Sequence, residues 1–173
     1  MDNIKDIIIQ VETLKLSQQF DDAISLLQQS IVKYNSDYRL YEELADIYLY
    51  QGKLDKANSA IDFALELNEQ SATWNYLKGF ILLSNDAIKT AIDYLKKSNQ
   101  LMANNAEVLR NLWWAYTLTG EHHKGITILK RALNLSPEDE LIVEDLAMAL
   151  IGSWEIQSGN SLLQKIGKKQ VTG

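Results

Sequence analysis

Small and large apolar side chains return along this chain at one interval of 34 residues. A column of small residues reads Ala23, Ala57, Ala91, Gly125 and Gly159, and four places further on an aliphatic column reads Leu27, Ile61, Leu95, Leu129 and Leu163. A third column reads Leu14, Tyr48, Leu82, Tyr116 and Leu150, and three places before it stand Val11, Ala45, Gly79, Trp113 and Ala147, of which only Trp113 is large. Within each period the apolar positions fall three or four apart, which places them on one face of a helix. Two helices that cross closely need a small residue at the approach and an aliphatic one a turn later to fill the groove. The pattern therefore predicts paired helices. First helices are expected near residues 3–16, 37–50, 71–84, 105–118 and 139–152, and second helices near 20–34, 54–67, 87–101, 122–135 and 155–168. Gly52 and Gly120 mark the ends of first helices, while Asn104-Asn105 and Ser136-Pro137 separate successive pairs.

The run Tyr41, Leu44, Ala45, Tyr48, Gly52, Ala57, Ala64, Leu65 returns as Leu112, Tyr116, Gly120, Gly125, Leu129, Ala132, Leu135, Pro137. Both resemble the tetratricopeptide repeat, with its Trp/Leu/Gly/Tyr helix, glycine turn, Ala/Phe/Ala helix and closing proline. The resemblance covers nearly the whole chain. It implies an all-α fold, a right-handed α-solenoid of stacked helix-turn-helix pairs forming a single domain over 1–173. The repeats are expected at about 4–37, 38–71, 72–105, 106–139 and 140–173. No pair buries its apolar face alone, so stability is expected from neighbours stacking on each other.

Two repeats depart from the pattern. The third has the turn Ser84-Asn85-Asp86 without glycine, and its Trp74 and Gly79 are five apart, which leaves room for a one-residue shift of its first helix. In the fifth, Trp154 stands where Gly52 and Gly120 stand, and Lys165, Gly167, Lys168 and Lys169 abandon the apolar column. That is the sequence of a terminal cap whose outer face meets water.

Charge narrows the partners. The net charge of −6 argues against a phosphate backbone or an anionic membrane surface, and leaves a basic peptide open. It is uneven: −7 over residues 1–71, +2 over 72–139 and −1 over 140–173. Cysteine is absent, which excludes disulfides, thiolate metal sites and a thiol nucleophile. The start Met1-Asp2-Asn3-Ile4-Lys5-Asp6 has no basic leader region, and Ile7-Ile8-Ile9 is too short for a signal core or a membrane span. A cytoplasmic location is therefore expected.

Catalytic chemistry finds little purchase. His122 and His123 are adjacent on an expected helix and point about 100° apart, so they do not converge on one metal or one proton. Glu42, Glu43 and Asp46 share a face and have the residue types of an acid/base or hard-cation site, but a solvated or peptide-facing acidic stripe accounts for them as well. No phosphate-cradling glycine loop, nucleophile elbow or histidine-rich metal spacing is present. The expectation is a non-enzymatic protein with no cofactor and no metal.

In proteins that this chain resembles, first helices line a concave groove that receives a partner peptide. Carried onto this sequence, the inward column reads Glu12, Asp46, Phe80, Trp114 and Met148, and its neighbour reads Ile8, Glu42, Tyr76, Arg110 and Glu144. Leu83, Asn111 and Thr117 are expected to complete the wall, and Trp113 to lie in the core. The groove so drawn is acidic at one end and aromatic in the middle, although Phe80 and Trp114 have a plain alternative as packing between repeats. Members of the family that grip a C-terminal carboxylate do so with a Lys/Asn/Asn/Lys/Arg clamp. The corresponding positions here hold Ile8, Glu12 and Glu43, which argues against that ligand. The expected occupant is a protein or peptide segment with Lys or Arg beside an apolar anchor. Two alternatives remain open: a self-assembling homo-oligomeric scaffold that buries Trp154, Leu162 and Leu163 between copies, and a small chaperone of the type III secretion kind.

Overall fold

A computed structural model describes residues 3–172, with the side chains of all but 166 and 168–172. The expectations for Met1, Asp2 and the side chains of Lys168 and Lys169 lie outside the described residues. The described residues form helices α1 (Ile4–Leu16), α2 (Phe20–Lys33), α3 (Tyr38–Tyr50), α4 (Leu54–Leu67), α5 (Ala72–Ser84), α6 (Ile88–Leu101), α7 (Ala106–Leu118), α8 (His122–Leu135), α9 (Glu140–Gly152) and α10 (Ile156–Thr172), with no strand among them. The 34-residue period holds through the third repeat, because α5 starts at Ala72, one period after Tyr38. No shift occurs there.

First helices begin on a column of short polar side chains, Asn3, Asp37, Ser71, Asn105 and Asp139. Each accepts a hydrogen bond from a backbone N–H of the first turn: Asn3 from Asp6, Asp37 from Arg39, Ser71 from Trp74, Asn105 from Glu107 and Val108, and Asp139 from Leu141 and Ile142. These caps satisfy donors that have no partner inside the helix. Second helices α2, α4, α6 and α8 start without a side-chain cap. Their position is set by the turn that precedes them.

That turn is the same in every repeat. Gln18, Gly52, Asp86, Gly120 and Trp154 stand one period apart in the left-handed region, with φ of 59°, 68°, 59°, 77° and 70°. The residue after each donates its N–H back to the carbonyl of Leu14, Tyr48, Leu82, Tyr116 or Leu150, at 2.8 to 2.9 Å. This is the Schellman closure, which ends one helix and aims the next. Glycine meets the backbone requirement without strain, and a side chain there costs about 1–2 kcal/mol, less for aspartate.

Two compact units divide the chain after Ile81. In the first, α1 packs on α2 and α3, α2 on α3, and α3 on α4. Ile7, Val11, Ala23, Leu27, Leu40 and Ile47 form one buried cluster, and Ala45 and Ala57 are fully buried. Lys78 of α5 is buried as well, with Nζ 2.5 Å from Asp62 and 2.8 Å from Asn58 of α4. In the second unit α6, α7, α8, α9 and α10 each pack on the next. There the small column is under the tightest constraint: a Cβ on Gly125 would lie 2.9 Å from Trp113 Cδ1, and one on Gly159 would lie 2.6 Å from Ile151 Cγ1 and 2.7 Å from the Ala147 carbonyl. Among the described residues no helix is long and apolar enough to cross a membrane.

Both constraints can be tested by substitution. Ala57→Leu puts three more carbons into a fully buried crossing, and is expected to lower the unfolding free energy by about 1–3 kcal/mol in urea denaturation. Asp86→Gly relieves the left-handed turn and is expected to raise it by about 1 kcal/mol. An unchanged midpoint for Ala57→Leu counts against the crossing.

Candidate functional site

The five residues of the expected inward column, Glu12, Asp46, Phe80, Trp114 and Met148, are all exposed. Each follows directly on the column Val11, Ala45, Gly79, Trp113, Ala147, of which all but Trp113 are buried. One step along a helix turns the side chain by about 100°, so burying one column brings the next out to solvent. The neighbouring Ile8, Glu42, Tyr76 and Arg110 are half-buried, and Glu144 is exposed.

In the first unit the acids are partly neutralised. Lys15 of α1 reaches across to α3, with Nζ 2.5 Å from Asp46 and 2.9 Å from Glu43. Burial works to depress the Lys15 pKa, and its hydrogen bonds to Asp46 and Glu43 outweigh that, leaving the ammonium above its ordinary value. Glu42 is different. Burial pushes its carboxyl above the usual carboxylate range, and a hydrogen bond with Trp74 only partly opposes the effect. Phe80 stands 45% exposed.

In the second unit Arg110 is ion-paired with Asp145 of α9, so its charge is shared within the protein. Asn111 donates its amide to the Glu107 carbonyl at 3.0 Å. Trp114 is 47% exposed and tilts against Trp113, with ring centroids 5.9 Å apart. Met148, 63% exposed, stands on the facing stretch of α9. Trp113 is half-buried and not fully in the core: Cδ1 of its ring lies over Gly125, and the residue also lines an open pocket. Leu83 is buried at 8% exposure and so leaves the wall expected of it.

Trp113, Trp114, Thr117, His122, His123, Met148 and Trp154 are among the residues lining one open pocket of about 700 Å3 in this unit. A second recess of about 310 Å3 shares both α7 tryptophans and adds Arg110, Asn111 and Asp145. Asp145 and Trp154 were not among the groove residues expected from sequence. Trp154 had a signal, since it replaces glycine at a turn position. Asp145 had none, because its role depends on Arg110 lying within reach on another helix. Among the described residues no group of three or more His, Cys, Asp or Glu side chains is placed to hold a metal ion.

The raised Glu42 pKa has a consequence for stability. The folded protein holds this proton more tightly than the unfolded chain, so stability falls as pH rises from the unfolded pKa through the folded one. Glu42→Gln keeps an oxygen for Trp74 and removes the charge. It is expected to melt higher than the wild type at pH 7 and equally at a pH low enough to protonate Glu42. Melting curves that coincide at both pH values would mean that the carboxylate is well solvated.

The sequence profile of the tetratricopeptide repeat matches residues 17–57 and 42–100. The BBSome complex member BBS4 of Bos taurus is 28% identical over 136 residues, covering 79% of this chain and 25% of that protein. The chain thus spans about a quarter of the length of the curated relative that it matches. Among solved structures, MamA is similar with a TM-score of 0.83 and 20% identity over 99% of this chain and 97% of its own. YrrB, described as a TPR protein with an unusual peptide-binding site, has a TM-score of 0.84 at 15% identity, covering 95% of this chain and 84% of its own. These likenesses give the fold, and with the repeat period and the matched profile in agreement the chain belongs to the tetratricopeptide repeat family.

Proposed function

We propose that this chain is a non-enzymatic protein-interaction module in which the exposed column of the first helices receives an extended or helical segment of a partner protein. The observation that carries the reading is the common exposure of Glu12, Asp46, Phe80, Trp114 and Met148, held on helices whose adjacent column is mostly buried. Rigid backbone with exposed aromatic rings is what strong interface contacts are made of, because the rings bury much area at little entropic cost. The proposed contact residues are Glu12, Glu42, Asp46, Tyr76 and Phe80 in the first unit and Arg110, Asn111, Trp114 and Met148 in the second. The net charge of −7 over residues 1–71 favours a basic segment with an apolar anchor. YrrB, similar in fold, is described as having a peptide-binding site.

Self-assembly is the second reading. Leu16 at 87%, Val32 at 86% and Trp154 at 87% exposure are apolar surface that another copy would cover.

Fluorescence anisotropy with a panel of Lys- and Arg-containing peptides bearing a Leu or Phe anchor tests the first reading. Phe80→Ala/Trp114→Ala is expected to bind at least about tenfold more weakly than wild type, and 0.5 M salt to weaken both. Binding by the double variant at wild-type strength would overturn the reading. So would a loss of about 3–5 kcal/mol in folding free energy from Trp114→Ala, which would mean a structural ring.

A further inference from the structure

Trp154 joins α9 to α10 in the left-handed conformation, at φ 70°, with 87% of its surface in water. The same turn position holds glycine at Gly52 and Gly120, where nothing lies within 4 Å of a Cβ. A tryptophan there has neither an easy backbone nor a packing role. Strain kept at an exposed residue points to use by something outside the fold.

Trp154 lines the open pocket of about 700 Å3 together with Trp113 and Trp114 of α7 and Met148 of α9. No lysine, arginine or carboxylate lines that wall, although the imidazoles of His122 and His123 do. Charge is one-sided along the α9 stretch and the turn that leads into α10. Residues 132–164 contain Glu138, Asp139, Glu140, Glu144, Asp145 and Glu155, and neither lysine nor arginine. Glu144 is exposed one helical turn before Met148 on the same face, and Glu155 is exposed directly after Trp154. The nearby cations are committed, Arg110 to Asp145 and Lys124 to Glu121.

Building on the groove reading above, we propose that this pocket takes an arginine side chain of the partner segment, its guanidinium against the indoles and its charge toward Glu144 and Glu155. A planar, weakly hydrated cation on an apolar stem suits a wall of rings and a thioether, with exposed carboxylates on the flanking residues Glu144 and Glu155. A lysine ammonium loses more hydration in the same place, and an aliphatic anchor makes no use of the acids.

The test is an NMR titration of protein labelled with 15N at the tryptophan indoles, using the peptide acetyl-Gly-Ser-Arg-Ser-Gly-amide and the same peptide with neutral citrulline in place of arginine. The arginine peptide is expected to shift the Trp113, Trp114 and Trp154 resonances and leave Trp74 in place. Citrulline should bind about tenfold more weakly or worse, since the cation is gone while the shape is kept. Trp154→Gly should melt higher than wild type, because it removes strain and no buried surface, and should lose at least about tenfold in arginine-peptide affinity. Equal binding of the citrulline peptide, unchanged binding by Trp154→Gly, or no shift of the three indoles overturns the inference. A Trp154 resonance that moves on dilution without peptide also overturns it, by showing a second copy of the chain on this face. If the anchored panel peptides bind Trp154→Gly as they bind wild type but fail on Phe80→Ala/Trp114→Ala, the arginine pocket falls and the groove reading stands. If no panel peptide binds wild type, the groove reading falls.

Discussion

Everything in this protein depends on how closely the two helices of a pair can cross. Fully buried Ala45 and Ala57 in the second repeat, and Trp113 over Gly125 in the fourth, are two solutions to one steric condition. Where the facing side chain is small, alanine suffices. Where it is an indole, even a methyl group would meet Trp113 Cδ1 at 2.9 Å, and glycine is required. Gly159 meets the same condition against Ile151 and the Ala147 carbonyl. Dense packing leaves no slack for an extra carbon at such points, so the crossing fixes which face of each first helix turns outward.

The turns supply the second constraint. The residue that joins the first helix of each repeat to the second takes the left-handed conformation, and the following N–H returns to the carbonyl five residues before it. Because the backbone hydrogen bonds do the work, the side chain at that position is free to vary from glycine to glutamine, aspartate or tryptophan. The backbone cost of a non-glycine residue is tolerable in a fold held by many crossings, which is how an exposed tryptophan can be retained at the last turn.

Arg39 with Asp37 and Lys124 with Glu121 pair locally, whereas three other cations tie one helix to another. Lys15 joins α1 to Glu43 and Asp46 of α3, Lys78 joins α5 to Asp62 of α4, and Arg110 joins α7 to Asp145 of α9. Each pair removes a charge from the inventory that a partner would see. The carboxylates left facing solvent, Glu12, Glu144 and Glu155 among them, are those with a bearing on recognition.

The fold was largely legible in the sequence because its determinants are local and repeated. A small residue every 34 positions, with aliphatics a turn away, specified the helices and the exposed column at Glu12, Asp46, Phe80, Trp114 and Met148. Helical geometry alone carries that information. The column of caps from Asn3 to Asp139 was equally periodic, but it stands just outside the apolar pattern and becomes evident only through its hydrogen bonds. What the tertiary structure alone decided is which side chains meet across helices: that Asp145 takes the charge of Arg110, that Trp113 is half outside the core, and that Trp154 shares a pocket with Trp114 and Met148. Periodicity assigns a residue to a face, whereas ion pairs and pockets depend on distances between residues tens of positions apart, and those exist only once the helices have packed.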